Sequence, residues 1–288
     1  MPDLKALLEE VLTKFPPKNR ISADPIQFQR KFFDMGRSSI EVEAVAVFSA
    51  MLSYGSAAQF TKKIAAILNA CNEEFLQLIT GKPQKDFPWI GYRMSNAEEI
   101  SVFAYAIGNV IKKFGSIKEA FKSGYNKNKK TIEGLASLRN AIYEEAEKQM
   151  SPLPHGIKHL LPDPLAGGAC KRWHMFLRWM VRGDDGVDVG IWKDIISPSE
   201  LLIPLDTHIS KISRNLGLTE RKNDDWKTSV EISENLRKCC PEDPIKYDFA
   251  LCHLGIGGKC SHGKNFELCS KCLLSPICIF GKQARKTK

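Results

Sequence analysis

Apolar residues in this chain recur with the period of a helix and almost nowhere with that of a strand, which narrows the folds open to it. Leu4, Leu7, Leu8, Val11, Leu12 and Phe15 fall at i, i+3, i+4, i+7, i+8 and i+11, one face of an amphipathic helix. Pro16 and Pro17 then end it. Ser38, three residues before Glu41, has the spacing of a capping box and opens a long apolar run through Leu52. Tyr54-Gly55-Ser56 breaks that run, and helical patterns continue over 57–71, 97–114 and 131–150. No segment alternates with period two for long enough to build a sheet. The pattern predicts an all-α fold of packed helices in two lobes.

At 288 residues the chain has the length of roughly two domains and can fold without disulfide staples. The expected division is a central helical bundle over 30–150, a second helical lobe from 1–29 plus 151–258, and a separate cysteine loop with a basic tail over 259–288. No apolar run approaches the ~20 residues of a membrane span, so an integral membrane protein is excluded. Asp3 and Lys5 near the N-terminus, with no apolar core after them, predict no secretory signal. Apolar residues spread along nearly the whole chain exclude intrinsic disorder. Lys and Arg number 42 against 33 Asp and Glu, a net charge of +9, which favours a polyanionic partner.

The nine cysteines are unevenly placed. An odd number without a signal segment argues against an extracellular disulfide framework. Cys260, Cys269, Cys272 and Cys278 read Cys-x8-Cys-x2-Cys-x5-Cys. Four thiolates this close can converge on one metal centre. A zinc ribbon usually presents two Cys-x2-Cys knuckles, and here there is one, Cys269 with Cys272. Unequal gaps around a single knuckle suit an iron–sulfur cubane, with zinc as the alternative. Cys71, Cys170, Cys239, Cys240 and Cys252 are expected in the core as small hydrophobes. Lysines gather over 112–130, where a solvated face is expected. Basic residues also gather over 259–288 around the cysteine motif, where a phosphate-contacting surface is expected.

The central stretch from His159 to Lys171 contains Pro162, Pro164, Gly167 and Gly168, which stop an incoming helix and permit a tight turn. The next helix should run from Lys171 to about Arg182, with Trp173, Phe176, Leu177 and Met180 as its apolar stripe. Lys171, His174, Arg178 and Arg182 lie within about 80° of one another on that helix, so a basic face is predicted. Gly167 and Gly168 ahead of a helix expose N–H groups suited to phosphate. Lys171 in the first turn meets the positive end of the helix dipole, which should increase its neutral, nucleophilic fraction. Farther on, Asp206 reads as the N-cap of a helix carrying Ile209, Ile212 and Leu216 and closed by Gly217.

Residues 204–216, Pro-Leu-Asp-Thr-His-Ile-x-x-Ile-x-x-x-Leu, resemble the catalytic-aspartate segment of helix-hairpin-helix DNA glycosylases. Endonuclease III-like members carry Thr-His after that aspartate and end in Cys-x6-Cys-x2-Cys-x5-Cys, which differs from the motif here by two residues in the first gap. Stretches around 24–64, 170–182 and 203–256 also resemble a mostly bacterial family with a glycosylase-like fold, and similar helices occur in the archaeal 8-oxoguanine glycosylase. The usual hairpin, Leu-Pro-Gly-x-Gly-x-Lys, is replaced here by Pro164-Leu165-Ala166-Gly167-Gly168-Ala169-Cys170-Lys171. The lysine and aspartate stand farther apart than in endonuclease III. The added segment, about Gly183 to Leu201 with Asp184, Asp185 and Trp192, resembles the longer connection of the archaeal enzyme.

The resemblance implies a helix-hairpin-helix element followed by a C-terminal cluster loop. It makes Lys171 the Schiff-base lysine, Asp206 the catalytic carboxylate, and Cys260, Cys269, Cys272 and Cys278 the ligands of a [4Fe–4S] cluster. The implied activity is removal of an oxidised base, 8-oxoguanine first, from double-stranded DNA by base flipping, with AP-lyase cleavage. Gly167, Gly168, His174, Arg178, Tyr54, Gln59, Thr207 and Lys211 become candidate DNA contacts, while Trp173 is expected in the core and His208 in a structural role. A monomer in the bacterial cytoplasm, associated with the nucleoid, is expected. The alternatives are a monofunctional glycosylase in which Asp206 activates water, and a non-catalytic protein that binds DNA damage. The enzyme readings require an uncharged amine at 171 and a carboxylate at 206 around one sugar-sized gap.

Overall fold

A computed structural model describes residues 3–183 and 186–286. Asp184, Asp185 and the last two residues of the basic tail lie outside the described residues. Fifteen α-helices follow in chain order among the described residues, with no β-strand: α1 Leu4–Lys14, α2 Ile26–Asp34, α3 Ser39–Leu52, α4 Ala57–Ala70, α5 Phe75–Thr80, α6 Ala97–Phe114, α7 Ile117–Asn128, α8 Thr131–Glu147, α9 His155–Leu160, α10 Lys171–Val181, α11 Thr207–Leu216, α12 Trp226–Arg237, α13 Asp248–Ile256, α14 Phe266–Lys271 and α15 Ile279–Lys286. The expected all-α class is met. No helix among the described residues is long and apolar enough to cross a membrane.

Local signals set the helix ends. The Ser38 hydroxyl accepts from the Glu41 N–H at 3.3 Å and starts α3. Asn96 and Glu99 form a reciprocal capping box at α6. Such caps satisfy N–H groups that the helix itself cannot.

The chain divides into two compact units. The larger holds Ile21–Ala166 and Met175–Ile195. Its centre is α3, where every residue from Glu41 to Leu52 is buried. A helix with apolar residues all round must be covered on all sides, and α2, α5, α6 and α7 pack on it. The Phe48 ring lies 4.8 Å from Phe75 and 6.0 Å from Phe103. Trp192 is fully buried, and its Nε1–H donates to Glu43 at 2.9 Å. Its ring lies 5.2 Å from both Phe121 and Phe176, which fixes the added segment onto the bundle.

The smaller unit holds Met1–Arg20, Gly167–His174 and Ile196–Lys288. Here α11 packs on α13 and α15, α14 on α15, and α1 on α13. Glu9 of α1 accepts from Lys246 Nζ at 2.7 Å and from the buried Tyr247 hydroxyl at 2.8 Å.

This division departs from the expected one. Residues 21–29 and 151–166 belong with the bundle, the added segment joins them through Trp192, and the cysteine loop is part of the smaller unit because α15 packs on α11. Helix α10 contributes its first turn to the smaller unit and the remainder to the larger.

Candidate functional site

The turn ahead of α10 is built as its glycines suggest. Gly167 has φ +83°, and both Gly167 and Gly168 are exposed with open space around them. The Gly167 carbonyl accepts from the Trp226 N–H at 3.0 Å, and Gly168 bridges to Asp225, the N-cap of α12. Cys170 takes φ +43°, a left-handed conformation that costs a non-glycine residue of order 1–3 kcal/mol. Lys171 follows it as the first residue of α10.

Asp206 arrives from the other direction. The extended approach to it is held where the Ser233 hydroxyl accepts from the Ile203 N–H at 2.8 Å and the Ser229 hydroxyl donates to the Ile203 carbonyl at 2.6 Å. Asp206 then caps α11 as expected, its Oδ1 accepting from the N–H groups of His208 at 2.9 Å and Ile209 at 2.8 Å. Gly217 closes the helix with φ +72°.

The fold brings these two residues together across 35 positions of sequence: Lys171 Nζ lies 2.9 Å from Asp206 Oδ2. The same oxygen accepts from the Cys252 thiol at 3.5 Å. Asp206 therefore uses one oxygen to cap a helix and presents the other to an amine and a thiol. The Lys171 side chain is 38% exposed and that of Asp206 15%, so the pair can still be reached from solvent.

The expected neutral lysine is corrected here. Burial is the largest single influence and works against the Lys171 charge, but Asp206, Cys252 and Asp248 together outweigh it, and the ammonium is held above the ordinary lysine value. Burial likewise opposes the Asp206 charge. Lys171, the Ile209 N–H and Cys252 overcome it and hold the carboxyl below its ordinary range. Lys171 and Asp206 form an ion pair, because a carboxylate in contact outweighs a helix dipole.

Two residues of the predicted basic face are corrected as well. His174 is 3% exposed and Arg178 4% exposed. Arg178 Nε contacts Asp188 Oδ1 at 3.2 Å, and Arg182 contacts Asp188 Oδ2. Asp188, from the added segment, is fully buried. Burial pushes the His174 imidazole down to about 4, so it is neutral near pH 7. Neither His174 nor Arg178 faces outward to meet a phosphate.

The other candidates vary. Trp173 is buried, as expected of a core residue. Thr207 and Lys211 are exposed one turn apart at the start of α11, and Gln59 is exposed in the first turn of α4. Tyr54 is half-buried; its hydroxyl donates to the Tyr92 carbonyl at 2.9 Å, and its ring lies 4.6 Å from that of His159. His208 is held by packing: a Cβ at Gly255 would come within 2.6 Å of its Nδ1, so α13 seats closely against it.

Cys260, Cys269, Cys272 and Cys278 all line one cavity of about 20 Å³, together with His262 and Asn215. Burial pushes the thiols of Cys260 and Cys272 up, and the neighbouring cysteines of the set add to this. No carboxylate is among the residues lining the cavity. Soft sulfur donors without carboxylates suit an iron–sulfur cluster or zinc. Among the described residues, no three His, Cys, Asp or Glu side chains are grouped to hold a metal ion.

Three participants escaped the sequence reading. Cys252 was expected in the core, yet it is half-buried and bonded to Asp206. Asp248, one turn before it on α13, is buried and adds to the field on Lys171. The spacing Asp248-x3-Cys252-x2-Gly255 marks one helix face, but nothing in it names the face opposite. His262 Nδ1 lies 3.5 Å from Cys260 Sγ and 3.3 Å from Asn215 Nδ2. Only its position within the cysteine motif pointed to it.

No curated protein and no solved structure matches this chain significantly. Residues 24–257, which include Lys171, Asp206 and Cys252, match a family model described as protein of unknown function, and the chain belongs to that family, DUF2400.

Proposed function

We propose that the protein is a DNA base-excision glycosylase with AP-lyase activity, acting on an oxidised base in duplex DNA. The observation that carries this reading is the contact of Lys171 Nζ with Asp206 Oδ2 at 2.9 Å, in a pair still open to solvent. An amine and a carboxylate in contact can share one proton, and imine chemistry at a sugar carbon needs that. The succession of α9, a glycine turn and α10 is read as the helix-hairpin-helix element, with the exposed N–H groups of Gly167 and Gly168 against a phosphate. Thr207, Lys211, Tyr54 and Gln59 remain candidate contacts to DNA.

A nucleotide flipped out of the duplex against this pair strips water from it. Loss of solvation penalises the two charges more than the neutral pair, so the proton moves from Nζ to Asp206 Oδ2. The Nζ lone pair then bonds to C1′ as the glycosidic bond breaks. That bond's electrons leave with the base, which takes a proton from Asp206. Asp206, ionised again, faces the cationic sugar. The attached amine passes a proton to the ring oxygen, the C1′–O4′ bond breaks with its electrons on that oxygen, and an iminium forms between Nζ and C1′. Asp206 then takes a proton from C2′, and the electrons of that C–H bond form a C2′–C3′ double bond as the 3′ phosphate leaves with the electrons of its bond to C3′.

Cys260, Cys269, Cys272 and Cys278 would hold a [4Fe–4S] cluster, which when bound supplies a rigid anchor for the basic loop. One zinc ion held by the same four thiolates is the alternative occupant. Iron and sulfide analysis of the purified protein separates the two.

The charged state of Lys171 favours a second reading, a monofunctional glycosylase in which Asp206 activates water and Lys171 only contacts DNA. Oligonucleotide duplexes carrying single lesions, 8-oxoguanine first and oxidised pyrimidines next, decide between them. Strand cleavage without alkali, with borohydride trapping lost in Lys171→Gln, supports the lyase. Cleavage only after alkali supports the monofunctional enzyme. Binding without cleavage leaves a non-catalytic damage-binding protein and overturns both.

A further inference from the structure

We propose that Cys252 is a positioning residue of this site, its thiol holding the Asp206 carboxylate ionised and aimed at Lys171. The inference rests on the proposed function for its catalytic meaning, but the contact itself stands on geometry. Asp206 Oδ1 is taken up by two backbone N–H groups, so only Oδ2 can exchange a proton. Lys171 and Cys252 both donate to Oδ2, from α10 and α13. When Lys171 gives up its proton or turns toward a ligand, Cys252 still donates to this oxygen.

The placement of Cys252 has an independent support. Asp248, Cys252 and Gly255 fall at i, i+4 and i+7 on one face of α13. At Gly255 that face is close enough to the start of α11 that a Cβ would strike the His208 ring. Helix α13 is thus pressed against the Asp206 end of α11 along this face. The charged and titratable groups around Asp206 are Lys171 on α10, Cys252 and Asp248 on α13, and His208 on its own helix. Helix α15, which also packs on α11, carries Lys282, Arg285 and Lys286.

The test follows alkylation of Cys252 by iodoacetamide in the folded full chain, read from its own peptide by mass spectrometry, in wild type and Asp206→Asn. Asparagine caps a helix as well as aspartate, so α11 keeps its start. A thiol facing a carboxylate is held protonated and reacts slowly. Removing the charge speeds alkylation near neutral pH, by about tenfold for each unit that the thiol pKa falls. An unchanged rate overturns the contact.

A second arm compares pH profiles of strand cleavage for wild type and Cys252→Ala. Loss of the donor weakens the ionised form of Asp206, so the acid limb moves to higher pH. A lower rate with the acid limb unmoved overturns the positioning role. If wild type cleaves no lesion duplex, the functional reading has failed, and the alkylation arm alone decides on Cys252. That arm changes nothing at position 252, so it stands even where Cys252→Ala does not fold.

Discussion

Helix α10 carries two pairs of opposite charge, and they are built differently. At its start, Lys171 meets Asp206 where solvent still reaches, and Asp206 is shared among a helix cap, an amine and a thiol. Two turns later Arg178, with Arg182, closes on an Asp188 that has no exposure at all. The second arrangement anchors the added segment to the bundle: two guanidinium groups surround one carboxylate, and nothing outside can reach it. The first can be opened from solvent, and its proton has two owners. A buried pair with no route to solvent is weak support for chemistry. A reachable pair in which each partner's charge depends on the other is the kind found at functional sites.

Removing Asp188 should expose this difference most. Asp188→Ala takes the Asp188 carboxylate away from the buried Arg178 guanidinium, and breaking one side of a buried pair costs about 3–5 kcal/mol. Denaturant unfolding checks it; a loss near that of a surface substitution would mean the pair anchors nothing.

His174, between the two pairs, should make stability depend on pH. Its folded value of about 4 lies below the unfolded one, so the neutral buried ring stabilises fully above the unfolded value. That contribution is lost as pH falls from about 6.5 toward 4, up to about 3 kcal/mol. Melting curves across this range should flatten in His174→Gln, and equal slopes in the two proteins would reject the assignment.

Asp206→Ala should cost less, about 1 kcal/mol for the lost cap, because its pair with Lys171 is partly screened by water. With its carboxyl held low, Asp206 contributes stability above the ordinary carboxylate range, and this is lost as pH falls through its folded value. Asp206→Asn should keep the cap and lose most of that acid dependence, as unfolding at two pH values will read.

The smallest effect on stability, within about 1 kcal/mol, is expected for Lys171→Gln. The comparison is sharpest there, since the same substitution should abolish borohydride trapping on lesion duplex under the proposed function. A variant as unstable as Asp188→Ala would make Lys171 a structural residue instead.

Helix α11 links the two features of the smaller unit. Asp206 caps its first turn and Asn215, near its last, lines the cysteine cavity. Ten residues at 1.5 Å each place these ends about 15 Å apart. A loop anchored at the cavity therefore fixes the far end of the helix that Asp206 starts.

The helices, their ends and the candidate pair were legible in the residues, because they depend on near neighbours. Helical periodicity located α1, α3, α4, α6 and α8, and Asp206 and Gly217 bounded α11; the four cysteines of the short motif line one cavity without being grouped as metal ligands among the described residues. The faces of α10 were not legible. One stripe, from Trp173 to Met180, is apolar and was expected inside. The other, with His174 and Arg178, is polar and went inside too, because Asp188 lay in a later segment to receive it. The charge on Lys171 is not legible for the same reason. The helix dipole is local and visible in the sequence, whereas the carboxylate that outweighs it comes from 35 residues away. Sequence alone settled what each residue offers in its own turn. Only the tertiary structure decided which distant group it meets, because the energy of a charge or a thiol depends on contacts that no local period encodes.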